Sequence, residues 1–223
     1  AGFLAMVADG VGGGAQGAEA SRFAVEAVSL YVARSMHAYY TTPQSDDAGL
    51  LLALEQAAQQ THAEIVNRGV EDSDARGMAT TLTLFLGVWP RVYLLQIGDS
   101  RYYQYRDGEL TQISRDQTVA QELIDQGVLT PEKAKRTRWS NVLSSALGGS
   151  TSTPHITRLE NDWSLVHLLC SDGLTKHVSD DQIRERLATM TSARQVCETL
   201  LQDALDGGGT DNITIIVGQA LPR

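Results

Sequence analysis

The chain has 223 residues, 42% of them apolar, enough for one domain or two small ones. Eighteen Lys and Arg against 27 Asp and Glu give a net charge of −9, which argues against nucleic acid or an anionic membrane as partner. No apolar run approaches the roughly 20 residues of a membrane span, and no basic stretch leads into an apolar one as in a signal peptide.

In chain order, residues 3–8 read as a strand, with which the chain opens abruptly. Residues 18–40 then carry Ala20, Phe23, Ala24, Ala27, Val28, Tyr31 and Val32 at helical spacing. After the polar loop TTPQSDDAG, a second helix spans 49–68, with Leu51, Leu54, Ala58 and Ile65 on one side. Short strands follow: TTLTLFLGV, RVYLLQIG, RYYQYR and ELTQIS. Asp107-Gly108 between the last two suits a type I′ hairpin turn. Such close spacing predicts antiparallel pairing, because parallel strands need long crossovers.

Residues 116–140 change character. QTVAQELIDQG reads as a short helix, Thr130-Pro131-Glu132 as a helix start with proline in first position, and KAKRTRW is basic. VLSSAL, HITRLE and SLVHLLC read as strands. One helix starts at Val178-Ser179-Asp180 and another at Thr191 or Ser192, and Gly207-Gly208-Gly209 ends the second. NITIIVG is the last strand. Helix pairs and strand blocks of this size predict stacked layers. Cys170 and Cys197 read as apolar thiols rather than a disulfide framework, which fits a reducing, cytoplasmic compartment.

Four aspartates sit at the edges of apolar runs. Asp9, Asp99 and Asp172 each end one, and Asp211 begins one. Carboxylates brought together repel unless a cation lies between them, so a divalent metal site is the first expectation. All-oxygen ligation suits Mg²⁺ or Mn²⁺; no Cys/His pair has zinc-ligand spacing. Two such ions about 4 Å apart can activate one water and clamp a phosphoryl group.

Gly12 to Gly17 also satisfies GxGxxG after a strand. A dinucleotide fold needs a second strand ending in an acid about 20 residues on, and here a long helix and polar loop follow instead. Asp72-Ser73-Asp74 resembles a DxD hydrolase motif but reads as polar loop.

VADGVGGGAQGAEAS, GMATTLTLFL, IGDSRYYQYRDGELTQIS, LLCSDGLTKHVSDDQI and GGGTDNITIIV, in that order, resemble the PPM family, the metal-dependent protein Ser/Thr phosphatases of type 2C. The segment at about 112–145, ending in RTRWSNVL, is similar to the flap of the bacterial branch. The resemblance implies an α+β fold, a four-layer α-β-β-α sandwich of two antiparallel sheets, here one catalytic domain over 1–223. It implies that Asp9, the Gly10 carbonyl, Asp172 and Asp211 hold two core Mn²⁺ or Mg²⁺ ions, and that Asp99 with Asp172 holds a third, weaker one. It further implies that a water between the ions is the nucleophile, with no side chain in that role, and that Asn212 supports its loop. The expected substrates are proteins phosphorylated on Ser and Thr by bacterial kinases, and the expected state is a cytoplasmic monomer.

Two departures stand out. The family carries an arginine and an acid on a strand upstream of DGxGG, and this sequence contains neither; that strand is expected in the natural protein. Gly14 stands where many bacterial relatives have histidine, so the general acid is unassigned. His177 reads as a helix-start residue. Ser100 and Arg101 read as structural, orienting Asp99 and starting the next strand. The basic stretch Lys133, Lys135, Arg136 and Arg138 reads either as a solvated face or as a dock for an anionic phosphopeptide. A catalytically weak or inactive regulatory module of the same fold is the competing function.

Overall fold

From Leu82 to Val88 successive side chains point to opposite faces, as strand geometry requires. Leu82, Leu84, Leu86 and Val88 join one apolar cluster and Phe85 another, so this strand is covered on both sides. In the computed structural model that pattern becomes the middle of a layered sandwich. The structure describes residues 2–12, 14–41, 47–72, 75–134, 137–162 and 164–219, with residues 37–41 and 47 described by backbone alone. Gly13, loop residues 42–46, Ser73, Asp74, Lys135, Arg136 and the His37 side chain lie outside the described residues.

The first sheet has the order β1-β4-β5-β8, formed by Gly2–Val7, Leu82–Val88, Arg91–Ile97 and His155–Leu159. The second has the order β10-β9-β6-β7, formed by Ile215–Gln219, Val166–Cys170, Arg101–Arg106 and Glu109–Gln112. Every pairing is antiparallel. A two-residue ribbon, β2 (Gly10–Val11) with β3 (Ala79–Thr80), lies beyond the end of β1. The antiparallel pairing of β1 with β4 also removes the dinucleotide reading, which requires a parallel crossover.

Three clusters fill the spaces between layers. Helices α1 (Gly14–Thr41) and α2 (Asp47–Glu71) place Ala20, Ala24, Val28, Leu50, Leu54 and Ile65 against the outer face of the first sheet. Val7, Phe85, Leu94, Tyr102 and Leu169 meet between the sheets, where Tyr102 Oη lies 2.7 Å from His167 Nδ1. Leu168 and Cys170 pack against Leu174, Ile183, Val196 and Leu200 on the far side. Those residues come from α5 (Asp172–Thr175), α6 (Asp180–Ala188) and α7 (Ala193–Asp206). This is the expected α-β-β-α sandwich.

Local chemistry explains the element ends. Ser179 and Gln182 form a reciprocal capping box at the start of α6, and Ser192 caps α7 by accepting from Gln195 N. Thr118 caps α3 (Val119–Asp125) in the same way, and Pro131 is the first residue of α4 (Pro131–Ala134). Asp107 and Gly108 both have positive φ, 51° and 87°, as a type I′ turn requires.

Two details differ from the expectations above. Residues 142–147 are not a strand; Leu143 and Leu147 make single bridges to Thr118 and Thr80, two separate segments. The bonds run from Val119 N to Val142 O, from Ser144 N to Gln117 O, and both ways between Leu147 and Thr80, so each neighbour is met once and no continuous ladder forms. Strand β10 begins at Ile215 rather than Asn212, because Asn212 N–H donates to Asp211 Oδ1 and its carbonyl accepts from Ser171 Oγ. After Cys170 the chain enters the short helix α5.

Candidate active site

The registers decide where the four aspartates fall. Val7, at the end of β1, pairs with Thr83, and Leu82 pairs with Ile97, at the end of β5. In the second sheet Cys170, at the end of β9, pairs with both Ile215 and Arg101 at the starts of β10 and β6. Residues 98–100 join β5 to β6 across the sheets, so Asp9, Asp99, Asp172 and Asp211 gather at one end of the sandwich.

Asp9 is held by its backbone. Its N–H donates to Thr81 Oγ1 at 3.0 Å, and its carbonyl accepts from Thr81 N at 2.8 Å and Thr80 Oγ1 at 2.9 Å. Thr81 Oγ1 also lies 2.7 Å from Ser100 Oγ, a fully buried hydroxyl next to Asp99. Thus one threonine links two of the aspartates. Arg101 opens β6 and forms a bidentate pair with Asp116, 2.7 Å at the shortest. Gly10 has no room for a Cβ, which would lie 2.1 Å from the Gly17 carbonyl; the start of α1 packs on its backbone.

On the other side, Ser171 Oγ donates to Asn212 O at 2.9 Å and accepts from Thr214 N at 3.0 Å. A Cβ on Gly173 would come within 2.3 Å of Asn212 O, so only glycine lets the two segments touch. His177 Nε2 accepts from Thr210 N at 3.1 Å and lies 2.8 Å from Thr210 Oγ1. This anchors the loop that carries Asp211 to the end of α5. His177 is therefore more than a helix-start residue.

The carboxylates feel one another. Burial, then the charges of Asp172 and Asp211, push Asp9 up to about 7. Burial, then the charges of Asp172, Asp116 and Asp9, push Asp99 up to about 7. Asp211 goes the other way, lowered first by its hydrogen bond from Lys176. The Lys176 ammonium lies 2.7 Å from Asp172 Oδ2 and 2.5 Å from Asp211 Oδ2. Burial opposes its charge, but these two contacts outweigh it and raise its pKa.

Among the described residues, no three carboxylate, histidine or cysteine side chains converge closely enough to surround an ion. Asp172 and Asp211 converge on Lys176 instead. The donor chemistry nonetheless fits a hard divalent cation. Asp172 Oδ1 is buried with no hydrogen-bond partner among the described residues, an expensive state for a carboxylate oxygen that a cation would relieve.

The profile of the protein phosphatase 2C family matches residues 1–207. The chain belongs to the protein phosphatase 2C family. Over 218 residues it is 38% identical to the serine/threonine protein phosphatase PstP of Mycobacterium tuberculosis, covering 98% of this chain and 40% of PstP. It thus spans less than half the length of that relative. The serine/threonine phosphatase stp of Listeria monocytogenes is 30% identical over 223 residues, covering 96% of this chain and 83% of that protein. The solved catalytic domain of PstP, in complex with two manganese ions, superposes with a TM-score of 0.80 at 36% identity, covering 98% of this chain and 88% of that one.

Within the type 2C fold, several supporting residues escaped the sequence reading. Thr81, Ser171, Thr210 and Lys176 make bonds 33 to 72 positions away in the chain. All four lie inside the segments that resemble the family, and that membership is the local signal they carry. The basic segment 133–138 is described in part: the Arg138 guanidinium lies 5.2 Å from the centre of the Trp139 ring. No helix among the described residues is long and apolar enough to cross a membrane.

Proposed function

We propose that this chain is a single catalytic domain, with residues 112–145 as its flap, that hydrolyses phosphoserine and phosphothreonine in proteins with Mn²⁺ or Mg²⁺. The observation that carries this is the meeting of Asp9, Asp99, Asp172 and Asp211 at one sandwich end in a type 2C fold. The PstP catalytic domain, described as a complex with two manganese ions, supports the same reading. Asp9, the Gly10 carbonyl, Asp172 and Asp211 would hold the two core ions, and Asp99 with Asp172 a third.

When bound, the ions lower the pKa of water and neutralise charge on the phosphoryl group. The chain itself supplies rigid placement. Thr80 and Thr81 hold the Asp9 backbone on both its N–H and its carbonyl, so the carboxylate starts from a fixed point. Ser171 and His177 hold the Asp211 loop against α5, which brings Asp211 to the same side as Asp172. Such preorganisation is worth more than the contacts alone, because the carboxylates need not reorganise during reaction. Asp9 and Asp99, pushed up to about 7, must release protons as cations bind.

The substrates we infer are phosphoproteins made by bacterial Ser/Thr kinases, met by a cytoplasmic monomer. The test is hydrolysis of p-nitrophenyl phosphate and of a phosphothreonine peptide, with Mn²⁺ present or chelated. A metal-dependent rate, abolished in Asp172→Asn, is expected. A folded chain with no metal-dependent rate would return the function to the regulatory module.

A further inference from the structure

Lys176 takes no part in the chemistry proposed above, yet it sits at its centre. It lies one helical turn beyond Asp172, and its ammonium touches Oδ2 of both Asp172 and Asp211. The lysine side chain is 28% exposed, Asp172 19% and Asp211 40%, so this is a half-sheltered contact rather than a surface ion pair.

The arrangement is built by the backbone. Lys176 N–H donates to Asp172 O at 2.8 Å, closing the α5 turn that brings the ammonium back over the carboxylate. The neighbouring His177 receives Thr210 N–H, which delivers Asp211 to the same place. The shape of Gly207 allows this approach, since a Cβ there would lie 2.9 Å from His177 Cβ. Two segments 35 positions apart are thereby held so that one lysine serves both acids.

An ammonium is a compact cation on a flexible stem. It offers positive charge to the same oxygens that a divalent ion would use, and a divalent ion nearby would repel it. Because it is tethered, its local concentration is high and its competition does not fade on dilution.

We propose that Lys176 is a tethered competitor of divalent cations at Asp172 and Asp211. It neutralises the carboxylates when ions are absent, and it must swing out when they bind, so it weakens and thereby sets the metal affinity of the site. This rests on reading Asp172 and Asp211 as metal ligands.

The experiment is calorimetric titration of Mn²⁺ into the wild-type chain and into Lys176→Met, Lys176→Gln and Lys176→Arg, with thermal unfolding in chelator and in Mn²⁺. Both neutral variants should bind Mn²⁺ about tenfold tighter or more, as expected when a charge contact to each ligand is lost. Both should melt lower than wild type in chelator and gain more from Mn²⁺. Lys176→Arg, which keeps the charge, should stay near wild type. Circular dichroism checks folding, and two neutral variants of different polarity guard against loss of either one. Unchanged or weaker Mn²⁺ binding in the folded neutral variants would overturn the competition while leaving the ligand assignment intact. No Mn²⁺ binding by any variant or by the wild type would remove the ligand assignment, and the competition with it.

Discussion

Gln117 clamps Gly98 from two sides. Gly98 N–H donates to Gln117 Oε1 at 2.8 Å, and Gln117 N–H donates to the Gly98 carbonyl at 3.0 Å. The same side chain donates through Nε2 to Thr153 O at 2.9 Å. Gly98 precedes Asp99, so the segment that follows β7 is tied directly to the turn that carries this aspartate. Gly98 itself has φ +96°, and a Cβ there would meet Thr81 Cγ2 at 2.7 Å.

Gln117→Ala removes the acceptor of Gly98 N–H and the donor to Thr153. The expected loss of stability is about 1–3 kcal/mol, the usual cost of stranding a partly buried polar group. Urea denaturation should record it as a lower midpoint with unchanged slope. A midpoint equal to wild type would mean that water replaces Gln117 at no cost.

Gly173→Ala places a methyl 2.3 Å from the Asn212 carbonyl, a backbone atom that cannot turn aside. The contact between α5 and the Asp211 loop must open. Overpacking of this kind costs about 1–3 kcal/mol. It should also reduce Mn²⁺ affinity, because Asp172 and Asp211 lie on the two sides of that contact. Comparing calorimetric Mn²⁺ binding with thermal stability checks both halves. Wild-type metal binding in a destabilised variant would show that the contact serves folding alone.

The pH dependence has a definite sign. Asp9 and Asp99 are raised from 3.8 to about 7. Between those values the folded chain keeps protons that the unfolded chain has released. Their stabilising contribution is therefore complete below about pH 4 and lost as pH rises through 7. Asp211, lowered by Lys176, contributes stability above its ordinary ionisation range and loses it on acidification. Without metal, the melting temperature should fall from about pH 5 to about pH 8. If Asp9 and Asp99 hold divalent ions as proposed, the ions displace the same protons, and the gain from Mn²⁺ should grow over that interval. Thermal unfolding across pH with chelator and with Mn²⁺ reads both slopes. A metal-free melting temperature that rises over the interval would contradict the raised values.

Much of the sandwich was readable along the chain, and for local reasons. The leucines of β4 alternate, Asp107-Gly108 has the only common backbone solution for its turn, and Ser179, Ser192 and Pro131 start helices through their own atoms. Residues 142–147 look like a strand in sequence because an apolar run resembles one whether or not a partner lies alongside. Their partners, Thr118 and Thr80, belong to different segments, and only the fold reveals that they interrupt any ladder.

The aspartates divide in the same way. Sequence alone identified Asp9, Asp99, Asp172 and Asp211 as carboxylates at the edges of apolar runs, because that placement is written in neighbouring residues. Tertiary structure decided which of them feel one another, that Thr81 joins Asp9 to the Ser100 turn, and that Lys176 sits between Asp172 and Asp211. Hydrophobic periodicity is a local property and survives in one dimension. Electrostatic coupling depends on distances of a few ångströms between residues far apart in the chain, and those exist only once the two sheets have packed.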